Sequence, residues 1–156
     1  MLNVLRNIAV AAATMAVLAG GVQAAGMEKP VAARQAVMKL NSFYMGQLGG
    51  MAKGKMAYNA KTAQGAANGL LALARLDTSG MWLKGSGNDM LGKAMTRAKP
   101  EIWSTYPEVA KKSKALKAAL ENLVTVAGSG IEGLRGAIGA VGKGCGGCHK
   151  PFREKK

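Results

Sequence analysis

Near the C-terminus, Ile131, Leu134, Ile138, Val141, Cys145, Cys148 and Phe152 follow one another at spacings of 3, 4, 3, 4, 3 and 4. Only an α-helix gathers residues so spaced onto one face; a strand would scatter them over both. The stripe therefore predicts a long amphipathic helix with both cysteines facing the core. Ser129 and Glu132 stand three apart just ahead of it, the spacing of a capping box.

Upstream, helix formers dominate and no alternating β-branched run occurs. A first helix is predicted over Glu28 to Lys53, with Val31, Met38, Met45 and Leu48 on its apolar face. Pro30 is tolerable in its first turn, and the Gly and Lys cluster near Gly54 ends it. Asn59 is a good N-cap for a second helix reaching Leu76, with Ala63, Ala67, Leu70 and Ala74 as its stripe. A third runs from near Pro107 to Ala127, with Val109, Leu116, Leu120 and Leu123 on one face. Between the second and third lies a long loop, Asp77 to Thr105, whose Met81, Trp82, Leu83, Ile102 and Trp103 are expected to pack over the bundle. The fold class is thus all-α, an up-down four-helix bundle. Its core is light, with seven aromatic residues in the chain and mainly alanines on the second helix. Either the helices approach closely or something large and apolar fills the space between them.

The 156 residues suffice for one domain. Arg6, the apolar run Ile8 to Leu18 and Val22-Gln23-Ala24 have the order of a secretory leader cut after Ala24. An uncleaved anchor would need about 20 apolar residues. Residues 1–24 are therefore expected to be removed, leaving 25–156 as the exported, periplasmic domain. The charge of +14, from 22 Lys and Arg against 8 Asp and Glu, falls to +13 without Arg6.

Cys145-Gly146-Gly147-Cys148-His149 is the spacing that attaches c-type haem. Two thiols three apart on a helix reach the two vinyl groups of one porphyrin, and the next residue reaches the iron. A thioredoxin-like site would need a βαβ fold around the pair. Zinc would need about four ligands, and three are present. A disulfide here would close almost no loop and add little stability. One covalent haem c per chain is the expected cofactor, with His149 as proximal iron ligand. His149 is the only histidine, so the sixth position takes Met, Lys or water, or stays open. In an up-down bundle the last helix runs antiparallel to the first, which sets the Cys145–His149 end beside the N-terminal half of the first helix. Met38, about 15 Å into that helix, is the best-placed thioether. Met45 lies two turns further on; Met81, Met90 and Met95, in the long loop, stay open by this argument.

With this motif at the end of a fourth helix, the mature chain resembles the class II c-type cytochromes, the cytochrome c-prime family. Arg34-Gln35, Met51-Ala-Lys-Gly54, Arg97-Ala-Lys-Pro-Glu-Ile-Trp103, Val141 to His149 and Phe152-Arg153 carry the resemblance in order and spacing. It implies a left-handed bundle, often a homodimer, with haem between the helices. It implies a low-spin c-556-like branch with Met38 on the distal side, since counting from Arg34-Gln35 reaches Met38. It also implies Arg34 and Gln35 near the haem propionates and Arg153 beside the proximal histidine. Gly146-Gly147 departs from the family, which more often has larger residues there, and a looser last turn is expected. Tyr44 stands where many high-spin members have His.

No catalytic base or substrate pocket is visible, so the chain reads as an electron carrier and not an enzyme. The alternative is a five-coordinate, high-spin protein binding NO or CO. A haem-free bundle using the charge for adhesion is a third reading. The basic surface suits acidic redox partners or contact with anionic lipid, with Lys111, Lys112, Lys114 and Lys117 the densest run. Nucleic acid is not expected in an exported chain without a base-reading motif. Alanine- and glycine-rich faces of the first two helices would permit a homodimer.

Overall fold

The computed structural model describes residues 2–155, with side chains described from Gly26 to Lys155. The helices are α1 (Leu2–Ala52), α2 (Ala60–Ala74), α3 (Asn88–Met95), α4 (Glu101–Ser104), α5 (Tyr106–Val126) and α6 (Ile131–Phe152), with a 3₁₀ turn at Ser79–Met81. The long helices α1, α2, α5 and α6 form a ring of neighbours, each packed on the next, with α6 closing back onto α1. This is the four-helix bundle expected. The helix predicted from Glu28 instead belongs to a helix assigned from Leu2. The side chains of the expected leader lie outside the described residues. Among the described residues, no helix is long and apolar enough to cross a membrane.

Local chemistry accounts for most of the boundaries. Gly54, at φ +69°, lets α1 end with Gly54 N donating to Met51 O and Lys55 N to Gly50 O, a left-handed glycine cap. Asn59 Oδ1 accepts from Thr62 N at 2.8 Å and starts α2. The capping box expected at Ser129 and Glu132 does not form. Gly130, at φ +141°, is the residue before α6, with no side-chain cap. Ser129 N donates to Val126 O, and Glu132 pairs with Arg135 at 2.8 Å. α6 runs through Gly146-Gly147 and Pro151 to Phe152, the end of the stripe.

The main core gathers Leu48 and Met51 of α1, Ala63, Ala66, Ala67, Leu70 and Leu71 of α2, Leu120 and Leu123 of α5, and Leu134, Ala137 and Val141 of α6. Small residues let the helices close up. A Cβ at Gly144 would meet Leu116 Cδ1 at 3.0 Å, and one at Gly69 would meet the Tyr44 ring at 2.6 Å. Close approach thus explains part of the light core.

Tyr58, in the α1–α2 connection, ties it to the α5–α6 connection. Its hydroxyl donates to Ala127 O and accepts from Gly130 N, both at 2.9 Å. Tyr58→Phe removes both bonds while keeping the ring. It is expected to cost about 1–2 kcal/mol, read as a lower urea midpoint at unchanged slope; an unchanged midpoint would show that this tie carries no stability.

Candidate haem site

The last three turns of α6 carry Cys145, Cys148 and His149, all half-buried. Cys145 packs against the main core, while Phe152 anchors the helix end in a second core with Ala98 and Ile102, flanked by Trp82, Trp103 and Val109. The apolar loop residues thus do pack over the bundle, with Leu83 more exposed than the rest. The loop is more ordered than expected. It contains α3, broken at Gly92 with φ +76°, and the single turn α4.

Two contacts fix the chain around His149. Ala98 forms an antiparallel bridge with Arg153, and Glu154 N donates to Arg97 O at 2.8 Å. Both arginines act on the ring: burial first, then the charges of Arg153 and Arg97, hold the imidazole below its ordinary pKa. The neutral ring is the form that offers a nitrogen lone pair to iron. Gly146, His149, Lys150, Arg153 and Glu154 line a cavity of about 300 Å³ on this side.

The two thiols are not bonded to each other. Burial raises both above the ordinary thiol value. At Cys145 the neighbouring Cys148 adds to the rise; at Cys148 the charge of Lys112 works against it. Both therefore stay protonated at neutral pH. Among the described residues, no three His, Cys, Asp or Glu side chains converge as a bare metal site would need. Two thiols close together on one helix face with an adjacent neutral imidazole fit a haem c instead.

Helix register then places Met38. Arg135 Nε donates to Ala52 O at 3.0 Å, pinning the first turns of α6 beside the last turn of α1. Fourteen residues lead back from Ala52 to Met38, and fourteen lead on from Arg135 to His149. At 1.5 Å per residue each path is about 21 Å, so on antiparallel helices Met38 and His149 stand level. Met38 is 44% exposed.

Arg34 and Gln35 lie one turn before Met38, facing the long loop. Arg34 is 3% exposed. Its Nη1 donates to Met81 O at 3.3 Å and Ser86 Oγ at 2.6 Å; its Nη2 donates to Ser86 O at 2.5 Å and Thr96 Oγ1 at 2.8 Å. The guanidinium carbon also sits 4.8 Å from the centre of the Trp82 ring. Gln35, on the surface, donates to Met95 O at 2.8 Å. Arg34 is thus first a loop anchor, a role its sequence neighbours did not signal. Ser86, Thr96 and Arg97 were likewise not singled out individually.

Residues 29–153 match the sequence model of the family described as Cytochrome C′. A cytochrome c-554 of Cereibacter sphaeroides is 35% identical over 130 residues, covering 83% of this chain and 96% of that one. The solved cytochrome c′ from Rhodobacter sphaeroides superposes with a TM-score of 0.80 at 35% identity, over 83% of this chain and 98% of that chain. A nitric oxide complex of a variant cytochrome c prime from Alcaligenes xylosoxidans superposes at 0.72, with 27% identity over 83% and 97% of the two chains.

Proposed function

The chain belongs to the cytochrome c′ family, a family of haem c proteins, and on that premise we propose that it is an exported, periplasmic single-electron carrier. Residues 1–24 are the leader in this reading. Cys145 and Cys148 hold the haem, His149 is the proximal ligand and Met38 the distal one. The observation that carries the reading is the level placement of Met38 and His149, set by the Arg135–Ala52 hydrogen bond.

The bound haem supplies a one-electron ferric/ferrous couple whose potential responds to axial ligand and burial. The protein residues then have separate tasks. Helical spacing directs both thiols to one porphyrin edge. Burial, and after it the charges of Arg153 and Arg97, favour the neutral imidazole of His149. With haem bound, the Met38 thioether would be the second protein donor to the iron and would keep small ligands off it. Four guanidinium N–H groups of Arg34 are committed to the loop, so Arg34 Nε–H and the second amide N–H of Gln35 are the donors left for the propionates. Leu40 and Phe43, exposed and three residues apart, lie on another face of α1. We assign that face to a homodimer.

A second reading, a high-spin protein that binds NO or CO, draws support from the nitric oxide complex of the related cytochrome c prime. Optical spectra of the ferric and ferrous protein, with and without CO, separate the two. Sharp low-spin bands unchanged by CO are expected. Met38→Leu is expected to give a high-spin ferrous spectrum that converts on adding CO. A wild-type protein that is high-spin and takes up CO would overturn the carrier reading in favour of gas binding.

A further inference from the structure

Two features remain outside this account. One is the lysine run on α5; the other is the bare Gly146-Gly147 pair. Lys112 of the run and Gly147 of the pair meet at one place. Between α5 and α6 lies a groove of about 400 Å³, lined by Lys112, Ala115, Ala119, Lys143, Gly144 and Gly147. Its floor is apolar and its lip is cationic.

The glycines of that floor have different reasons. Gly144 is required by packing, since a Cβ there would press on Leu116. At Gly147 a Cβ would meet nothing within 4 Å, and the same holds at Gly146, which lines the cavity beside His149 instead. Glycine in a helix interior is less favourable than alanine. Packing within the chain therefore gives no reason for these two. Their effect is to leave the backbone beside Cys148 uncovered, so that another surface can come down onto the turn that bears the thiols.

The charge around the groove is predominantly positive. Lys111, Lys114, Lys117 and Lys150 are exposed around Lys112 and Lys143. The salt bridges among the described residues involve Arg75, Lys93, Lys99 and Arg135, none of these six. Of the nearby acids, Glu121 is turned to Arg75 and Glu132 to Arg135. Glu108 stands one turn before Lys112 on α5. Such a field speeds encounter with an oppositely charged partner and repels a second copy of this chain.

We propose that the α5–α6 groove, with Lys112 and Lys143 at its lip and Gly144 and Gly147 in its floor, is the docking site for an acidic one-electron redox protein. The site rests on the carrier reading and adds the partner's chemistry and its place of contact. One electron would pass between the docked partner's redox group and the haem held by Cys145 and Cys148; one is oxidised as the other is reduced.

The test uses the haem-loaded protein and, as probe, an acidic flavodoxin. Calorimetric titration with oxidised flavodoxin at low salt reads docking without electron transfer. Stopped-flow mixing with reduced flavodoxin reads the transfer. K112E/K143E is expected to weaken binding about tenfold and to slow the second-order transfer equally. K53E/K55E, the same charge change at the opposite end of the bundle, is expected to change both less than twofold. Gly147→Gln is expected to slow transfer at saturating flavodoxin more than it weakens binding. Equal effects of the two double variants would show that net charge alone acts and would overturn the site. No measurable wild-type binding would overturn it as well. Failure of the carrier reading shows instead in the CO spectrum, which K112E/K143E leaves unchanged.

Discussion

Replacing Cys145 and Cys148 together by alanine is expected to abolish haem staining of the denatured chain and to destabilise the fold by at least about 3 kcal/mol. Thioethers survive denaturation, whereas in the proposed reading Met38, 107 residues before Cys145, would reach the iron only while the helices are folded. Each single variant keeps one thioether and is expected to stain; the double variant keeps none. The stability loss has a separate cause. A tethered group stays at an effective concentration in the millimolar range or above. It therefore favours the folded state by mass action, and untethered haem is diluted away. The effect is concentrated where the bundle has least of its own to bury. The fully buried members of the α6 stripe, Leu134 and Val141, lie before the motif, while Cys145, Cys148 and His149 are only half-buried. Urea unfolding followed by helical circular dichroism measures the loss, and a haem band persisting in the double variant would refute the attachment.

Periodicity made the bundle legible because it reports a local geometry. The α6 stripe ends at Phe152 in sequence and in structure, and Asn59 caps α2 through its own side chain as its residue type suggests. The capping box at Ser129 failed for an equally local reason: Gly130 takes a positive φ and the helix starts one residue later. Contacts between distant residues were less legible. Arg34 reaches partners 47, 52 and 62 residues away, and no spacing rule announces such a meeting. Family resemblance pointed Arg34 toward the propionates, while the loop takes four of its N–H groups. The light core admitted two explanations, and both have a place. Gly69 and Gly144 bring helices together, while the Cys145–His149 end fits the haem. Topology and the count from Arg34-Gln35 both pointed to Met38, and the Arg135–Ala52 bond fixes the register in which it stands level with His149.

Arg34→Met is expected to cost about 3 kcal/mol and to loosen the whole α2–α5 loop, far more than a surface arginine would. Met keeps much of the volume but donates nothing. Ser86 and Thr96 are buried, at 0% and 4% exposure, so Ser86 O and Thr96 Oγ1 lose a charged donor where water does not readily replace it. Arg34→Lys should recover less than half, because an ammonium lacks the planar fork that spans Ser86 and Thr96 together. The loss spreads along a defined path. Trp82 stacks on Arg34 and accepts through its carbonyl from Trp103 Nε1 at 2.8 Å. Ser86 precedes Asn88, whose N–H donates to Ala98 O at 2.7 Å, and Ala98 bridges to Arg153 beside His149. Hydrogen exchange reads this path directly. The Asn88 and Glu154 amides are expected to lose protection in Arg34→Met while amides in the middle of α5 keep theirs. Uniform loss across the bundle would mean that Arg34 acts on global stability alone. Selective loss means that a residue one turn from Met38 also sets the chain around His149, so that a single buried guanidinium joins the stretch of α1 around Met38 to the end of α6.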